Sequence, residues 1–183
     1  MEGRNNPRNI VLFVSGLILA AAVSRILPHW PNVTPVAAIA LFGGATLSNR
    51  KWAYGIPMLA LLLSDLAICG MMGYDFFTWG RLFIYVPFLF TTFLGTQFQN
   101  KRTIGNIAAY GFLASVVFFL ISNLSVWIFD DFYTRDFTGL IDCYTMAIPF
   151  FRNSLLGNAF YMFMLFGSFA LAKDRFFALA RVK

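Results

Sequence analysis

The chain has 183 residues, of which 59% are hydrophobic and only 12% charged, with a formal net charge of +6. A soluble domain carries about 25% charged residues, so this composition excludes an ordinary soluble domain and points to an integral membrane protein. One histidine and two cysteines leave no basis for a His/Cys metal centre.

Apolar runs near the length of a spanning helix, roughly 20 residues, recur along the chain. The first covers 9–27, behind Arg4 and Arg8. It continues unbroken to Arg25 with no small-x-small cleavage pattern, so it reads as a retained helix. Gly16, Ala20 and Ser24 are spaced four apart on one face. Small residues at that spacing permit close helix approach, either within the bundle or against another membrane subunit.

PHWPN (28–32) follows. Pro28 and Pro31 restrict the backbone and end the helix. His29, Trp30 and Asn32 then stand at the mouth of the bundle, in a rigid turn or a lid over a ligand. Thr34 is expected to cap the second run, 34–47, with Pro35 at its first position. That run is short, and its Ala37, Ala38, Gly43 and Gly44 allow tight packing or a bend.

The third run, 52–69, holds Asp65 within LLLSD. A lone carboxylate in hydrocarbon is costly and should face the bundle interior. Arg25, Arg152 and Ser64 are candidate partners, and the group is either half of an ion pair or the wall of a ligand pocket. GMMGYDFFTWG (70–80) brings Trp79, and the fourth run covers 82–98. The fifth covers 104–122.

Residues 122–149 form a long segment, with Trp127, Phe132, Tyr133 and Tyr144 among Asp130, Asp131, Arg135 and Asp142. Such a segment suits an aromatic belt at the membrane surface or an interfacial helix capping a cavity. Pro149 is expected to open the sixth run, 150–171. Arg152 and Asn153 then sit at its mouth, and Asn158 lies deeper, where an unpaired amide is costly.

The fold expected is all-α: a single domain over 1–183, a polytopic bundle of six transmembrane helices. Basic residues fix its orientation. Arg4, Arg8, Arg50, Lys51, Lys101, Arg102, Lys173, Arg175, Arg181 and Lys183 fall on one side if both termini are cytoplasmic. Most acids fall on the other side, with Arg25, Arg81, Arg135 and Arg152. This asymmetry accounts for the net charge without nucleic acid. Cys69 and Cys143 share the outer side, which leaves a disulfide open. No P-loop, dinucleotide fingerprint, zinc-protease helix or serine elbow occurs. No catalytic residue, cofactor or metal ligand is therefore assigned.

PNVTPVAAIALFGGA (31–45), LLLSD (61–65) and CYTMAIPFFRNSLLGNAFYMFMLFG (143–167) resemble an uncharacterised family of small bacterial integral membrane proteins. More distantly, the chain is similar to the substrate-binding S component of energy-coupling factor (ECF) transporters. That resemblance implies a six-helix protein of the bacterial inner membrane that captures a vitamin-like molecule. A transmembrane coupling protein and two ATPases would supply the energy. It also implies docking through small residues of the first helix, here Gly16, Ala20 and Ser24, which depart from an all-alanine motif. The first outer loop would close over substrate, and the lone histidine argues against a transition-metal cargo.

The leading expectation is thus a capture subunit of an ATP-driven importer for a small organic molecule, itself not an enzyme. Trp30, Trp79 and Trp127 would stack on a ring, and His29, Asn32, Asp65, Arg152, Asn153 and Asn158 would supply polar contacts. A structural or assembly protein of the inner membrane and a small enzyme acting on a lipid-linked substrate are the alternatives. Membrane lipid is a partner in every case.

Overall fold

Six α-helices form in the computed structural model, which describes residues 7–28 and 30–172. They are α1 (Pro7–Ser24), α2 (Val36–Thr46), α3 (Arg50–Met72), α4 (Trp79–Gln97), α5 (Ile104–Phe129) and α6 (Phe137–Ala172). Of these, α3, α5 and α6 are long and apolar enough to cross a membrane, while α1 and α2 are shorter apolar helices. The protein is an all-α bundle with the character of a multi-pass membrane protein.

Successive helices run in alternating directions, so the connections sort to two ends. At one end, Arg25 after α1 reaches Asp65 in α3. At that same end Ser125 in α5 donates to the Gly80 carbonyl in α4 at 3.3 Å, and Asn153 in α6 donates to the Pro31 carbonyl at 3.2 Å. This is the loop-rich end. At the other, basic end, the α4–α5 connection lies against the last turn of α2. Arg102 donates to the Ala45 carbonyl at 3.1 Å and stands 5.5 Å from the centre of the Phe169 ring.

The shortest helix is the centre of the bundle. All 11 residues of α2 are buried, although at 1.5 Å per residue it is only about 16 Å long. Its glycines explain how it fits. A methyl group at Gly44 would run into the Thr92 carbonyl of α4, and one at Gly95 would run into the Leu41 carbonyl. The two helices touch backbone to backbone, as small residues allow in membrane bundles. Gly43 leaves room for the ring of Pro57 in α3, so a proline inside a helix serves as a packing knob. Phe42 meets the edges of Phe166 and Phe169 at 5.1 and 5.9 Å.

The ends of α2 are treated differently. A helix leaves its last carbonyls and first amides without partners. Here Gln99 Nε2 donates to the carbonyls of Gly44 and Leu47 at 2.6 and 2.9 Å, and the Arg102 guanidinium adds favourable charge at the C-terminus. At the N-terminus Pro35 occupies the capping position without a side-chain hydrogen bond. Thr34 therefore does not cap, and the helix begins one residue later than the sequence suggested. Ile39 donates to the Pro35 carbonyl, but the amides of Val36, Ala37 and Ala38 find no acceptor among the described residues.

The outer segment also differs from the sequence reading. Helix α5 runs on to Phe129 and α6 starts at Phe137, so most of 122–149 is helical hairpin. At 36 residues, α6 is about 54 Å long, well beyond a hydrocarbon core of about 30 Å. Its first turns lie along α5: Tyr144 donates to the Leu120 carbonyl at 2.6 Å and Cys143 to the Asn123 carbonyl at 3.4 Å. Pro149 sits inside this helix rather than at its start. Both Cys69 and Cys143 are free, buried thiols, so no disulfide joins α3 to α6.

Candidate ligand cavity and charged cluster

The α1–α2 connection is shaped by its prolines. Val33 N–H donates to the Trp30 carbonyl at 3.0 Å, closing a turn with Pro31 and Asn32 at its centre. Asn32 has φ of 63°, the left-handed conformation that the third residue of a type II turn requires and that asparagine tolerates. The turn rests on α6. Asn153 binds the Pro31 carbonyl, and a Cβ at Gly157 would lie 2.8 Å from the Val33 Cα. Only glycine lets the turn sit this low.

Beneath the turn is a cavity of about 140 Å³. Asn32, Thr34, Val36 and Ala37 form one wall, Ser115, Phe118, Phe119 and Asn123 of α5 a second, and Ala147, Phe150, Phe151, Ser154 and Asn158 of α6 the third. None of these side chains is ionisable. Asn158 is 3% exposed. Its Nδ2 donates to the Gly111 carbonyl at 3.0 Å and to Ser115 Oγ at 2.8 Å, whereas its Oδ1 is buried without a partner among the described residues. Val36 and Ala37, at the uncapped start of α2, line the same space.

A second polar feature lies elsewhere at the loop-rich end. Asp65, 4% exposed, pairs with Arg25 at 2.6 Å and with Arg81 at 3.6 Å and accepts from the Tyr85 hydroxyl at 3.0 Å. Arg25 also donates to Ser64. Arg81 donates to Cys69 Sγ at 2.9 Å and lies 5.1 Å from the Phe76 ring centre. One carboxylate against two guanidinium groups leaves the cluster with a net positive charge. It ties α1, α3 and α4 together but does not line the cavity.

The residues singled out in the sequence thus divide. Asn32 and Asn158 meet in the cavity, and Asn153 holds the turn above it. Asp65 belongs to the ion cluster, with Arg25 and Ser64 as partners; Arg152 is not one of them and is exposed on α6. Trp30 and Trp79 are 77% and 72% exposed and line no wall of the cavity. Trp127 donates to the Thr134 carbonyl at 2.9 Å and braces the α5–α6 connection. His29 lies outside the described residues. Gly16 and Ala20 are exposed on α1, with open space around Gly16. Ser24 instead turns inward, its Oγ 2.7 Å from the Ala21 carbonyl and 2.9 Å from the Tyr161 hydroxyl.

The aromatic walls and Ser115, Asn123 and Ser154 add to the site residues expected from the sequence, and their spacing is a usable signal. Ser115, Phe119 and Asn123 are four apart, and Ala147, Phe151, Ser154 and Asn158 recur at three and four, so each set marks one helix face.

Fold and cavity together define a polytopic helical membrane-type protein with a small, uncharged pocket at the start of a short central helix. The chain belongs to a family of unknown function, DUF6580, whose model matches residues 4–179. No curated protein and no solved structure matches it, and no comparison ties it to ECF S components.

Proposed function

We propose that the protein is the small-molecule capture subunit of a membrane importer. The supporting observation is the cavity under the Trp30–Val33 turn, at the uncapped end of α2. Ligand enters at the loop-rich end, and the turn, held by Asn153 and Gly157, acts as its lid. This end faces outward, with both termini cytoplasmic in a bacterial inner membrane, because Arg50, Lys51, Lys101 and Arg102 cluster at the opposite end. The protein performs no covalent chemistry. A separate transmembrane coupling protein docks on the exposed Gly16–Ala20 face of α1, and two ATPases supply the energy.

Native mass spectrometry of protein purified gently from its own membranes tests capture. A defined small molecule should accompany the wild type and be lost from Gly157→Leu, which displaces the lid. Co-purification with ATPases, abolished by Ala20→Leu in a still-folded bundle, tests the importer. Binding of other membrane proteins to that face, without ATPases or small molecule, would instead favour an assembly role.

A further inference from the structure

We infer that the cavity takes an uncharged, single-ring molecule bearing a carboxamide or lactam edge, a group that offers one hydrogen-bond acceptor beside one donor. This rests on the capture reading and narrows it. Two unmet demands of opposite kind adjoin the cavity. The first is the start of α2, where Val36 and Ala37 line the space and their amides find no acceptor among the described residues. The contrast with the far end of the same helix, where Gln99 and Arg102 serve the carbonyls, marks this as a site left open. A helix N-terminus calls for an acceptor or a negative charge.

The second demand is Asn158 Oδ1, buried in the cavity wall and unpartnered among the described residues. The orientation of this amide follows from its neighbours. The Gly111 oxygen is a carbonyl and can only accept, so the nitrogen must face it, and Ser115 Oγ already donates to the same carbonyl at 3.1 Å. Turning the amide over would set two acceptors against each other. Oδ1 therefore needs a donor from the ligand, as a buried acceptor left unmet is costly.

Charge and size narrow the class. A carboxylate would satisfy the helix end but turn its second oxygen on Oδ1, with no arginine or lysine among the lining residues. A cation would meet the positive end of α2, and no acid lines the space to offset it. A cavity of about 140 Å³ compares with the roughly 150 Å³ that accommodates benzene. The rings of Phe118, Phe119, Phe150 and Phe151 supply apolar contact for one such ring.

The test compares three probes of nearly equal shape on the purified, exhaustively washed full-length chain: benzamide, acetophenone and benzoate. Acetophenone keeps the acceptor and lacks the donor, and benzoate is charged. Affinities are read by ligand-observed NMR, on the wild type and on Phe118→Trp, which fills the cavity. Benzamide should bind at least about tenfold more tightly than either analogue, the worth of one buried hydrogen bond, and Phe118→Trp should remove that binding. Equal binding of all three, or a preference for benzoate, with each lost in Phe118→Trp, overturns the ligand class and leaves capture standing. No binding by any probe, or binding untouched by Phe118→Trp, overturns both.

Discussion

Replacing Asp65 by asparagine removes one negative charge from between two guanidinium groups while leaving an oxygen for Tyr85 to donate to. Removing one partner of a buried ion pair costs about 3–5 kcal/mol, because the remaining charge is stranded. Here the arginine side chains keep 13% and 18% of their surface, so water offsets part of that cost, and a loss of about 2–4 kcal/mol is expected. The two pairs should contribute unequally. Arg25 approaches to 2.6 Å with Ser64 beside it, whereas Arg81 stands at 3.6 Å. Arg81 also has Cys69, the Asp75 carbonyl and the Phe76 ring to hold it. Double-mutant cycles with Arg25→Met and Arg81→Met isolate each coupling. The Asp65–Arg25 coupling should be about 2 kcal/mol and the Asp65–Arg81 coupling about 1 kcal/mol or less. Reversible unfolding in mixed detergent micelles gives the energies, and ligand or probe affinity is measured on the same samples. Unchanged stability in Asp65→Asn, or a stronger coupling to Arg81, would refute the account of the cluster. Lost affinity in a bundle of full stability would refute the separation of cluster from cavity.

Gly44→Val should destabilise the bundle by about 1–3 kcal/mol through overpacking, because its side chain meets the Thr92 carbonyl; Gly16→Ala, in open space, should be neutral or raise stability by up to about 1 kcal/mol, and both are read by the same unfolding assay. Gln99→Ala strands the carbonyls of Gly44 and Leu47 and should cost about 1–3 kcal/mol, with faster hydrogen exchange at the C-terminus of α2. Asp136 caps α6: the Gly139 amide and the Thr134 hydroxyl bond to it at 2.7 and 2.8 Å and lower its pKa, the Gly139 bond most. A carboxylate with a depressed folded pKa stabilises fully above its ordinary value, about 3.9, and loses that contribution as pH falls through the depressed value. The first turn of α6 should therefore exchange faster in acid below about pH 4, and Asp136→Asn should remove this pH dependence while preserving the cap.

The order and number of the helices follow from the lengths of the apolar runs, because burial in hydrocarbon leaves few alternatives for a backbone. The boundaries at the outer end were harder to place, since acids and aromatics between 122 and 149 have the composition of a surface segment. The pattern Cys143, Ala147, Phe151 that packs one face of α6 emerges only when the run is read through Pro149. A proline is a helix-start signal in water, yet a bundle tolerates it in mid-helix. The place of Asp65 in an apolar run demands a partner, but no spacing marks Arg81 as one, because a guanidinium reaches several ångströms from its backbone. In the cavity the amides of Asn32 and Asn158 stood out as costly polar groups, while the phenylalanines were lost among 23 of their kind. Tryptophan, the more conspicuous aromatic, went to the rim instead.

The short length of α2 sets a condition on any transport cycle. A molecule resting against its first turn has the whole helix, about 16 Å and sealed on every side, between itself and the basic end. Gln99 and Arg102 bolt its far end to the α4–α5 connection. Delivery from the cavity to the opposite side therefore requires either that those bolts be drawn and α2 moved, or that the protein turn as a body and release its cargo through the same mouth by which it entered.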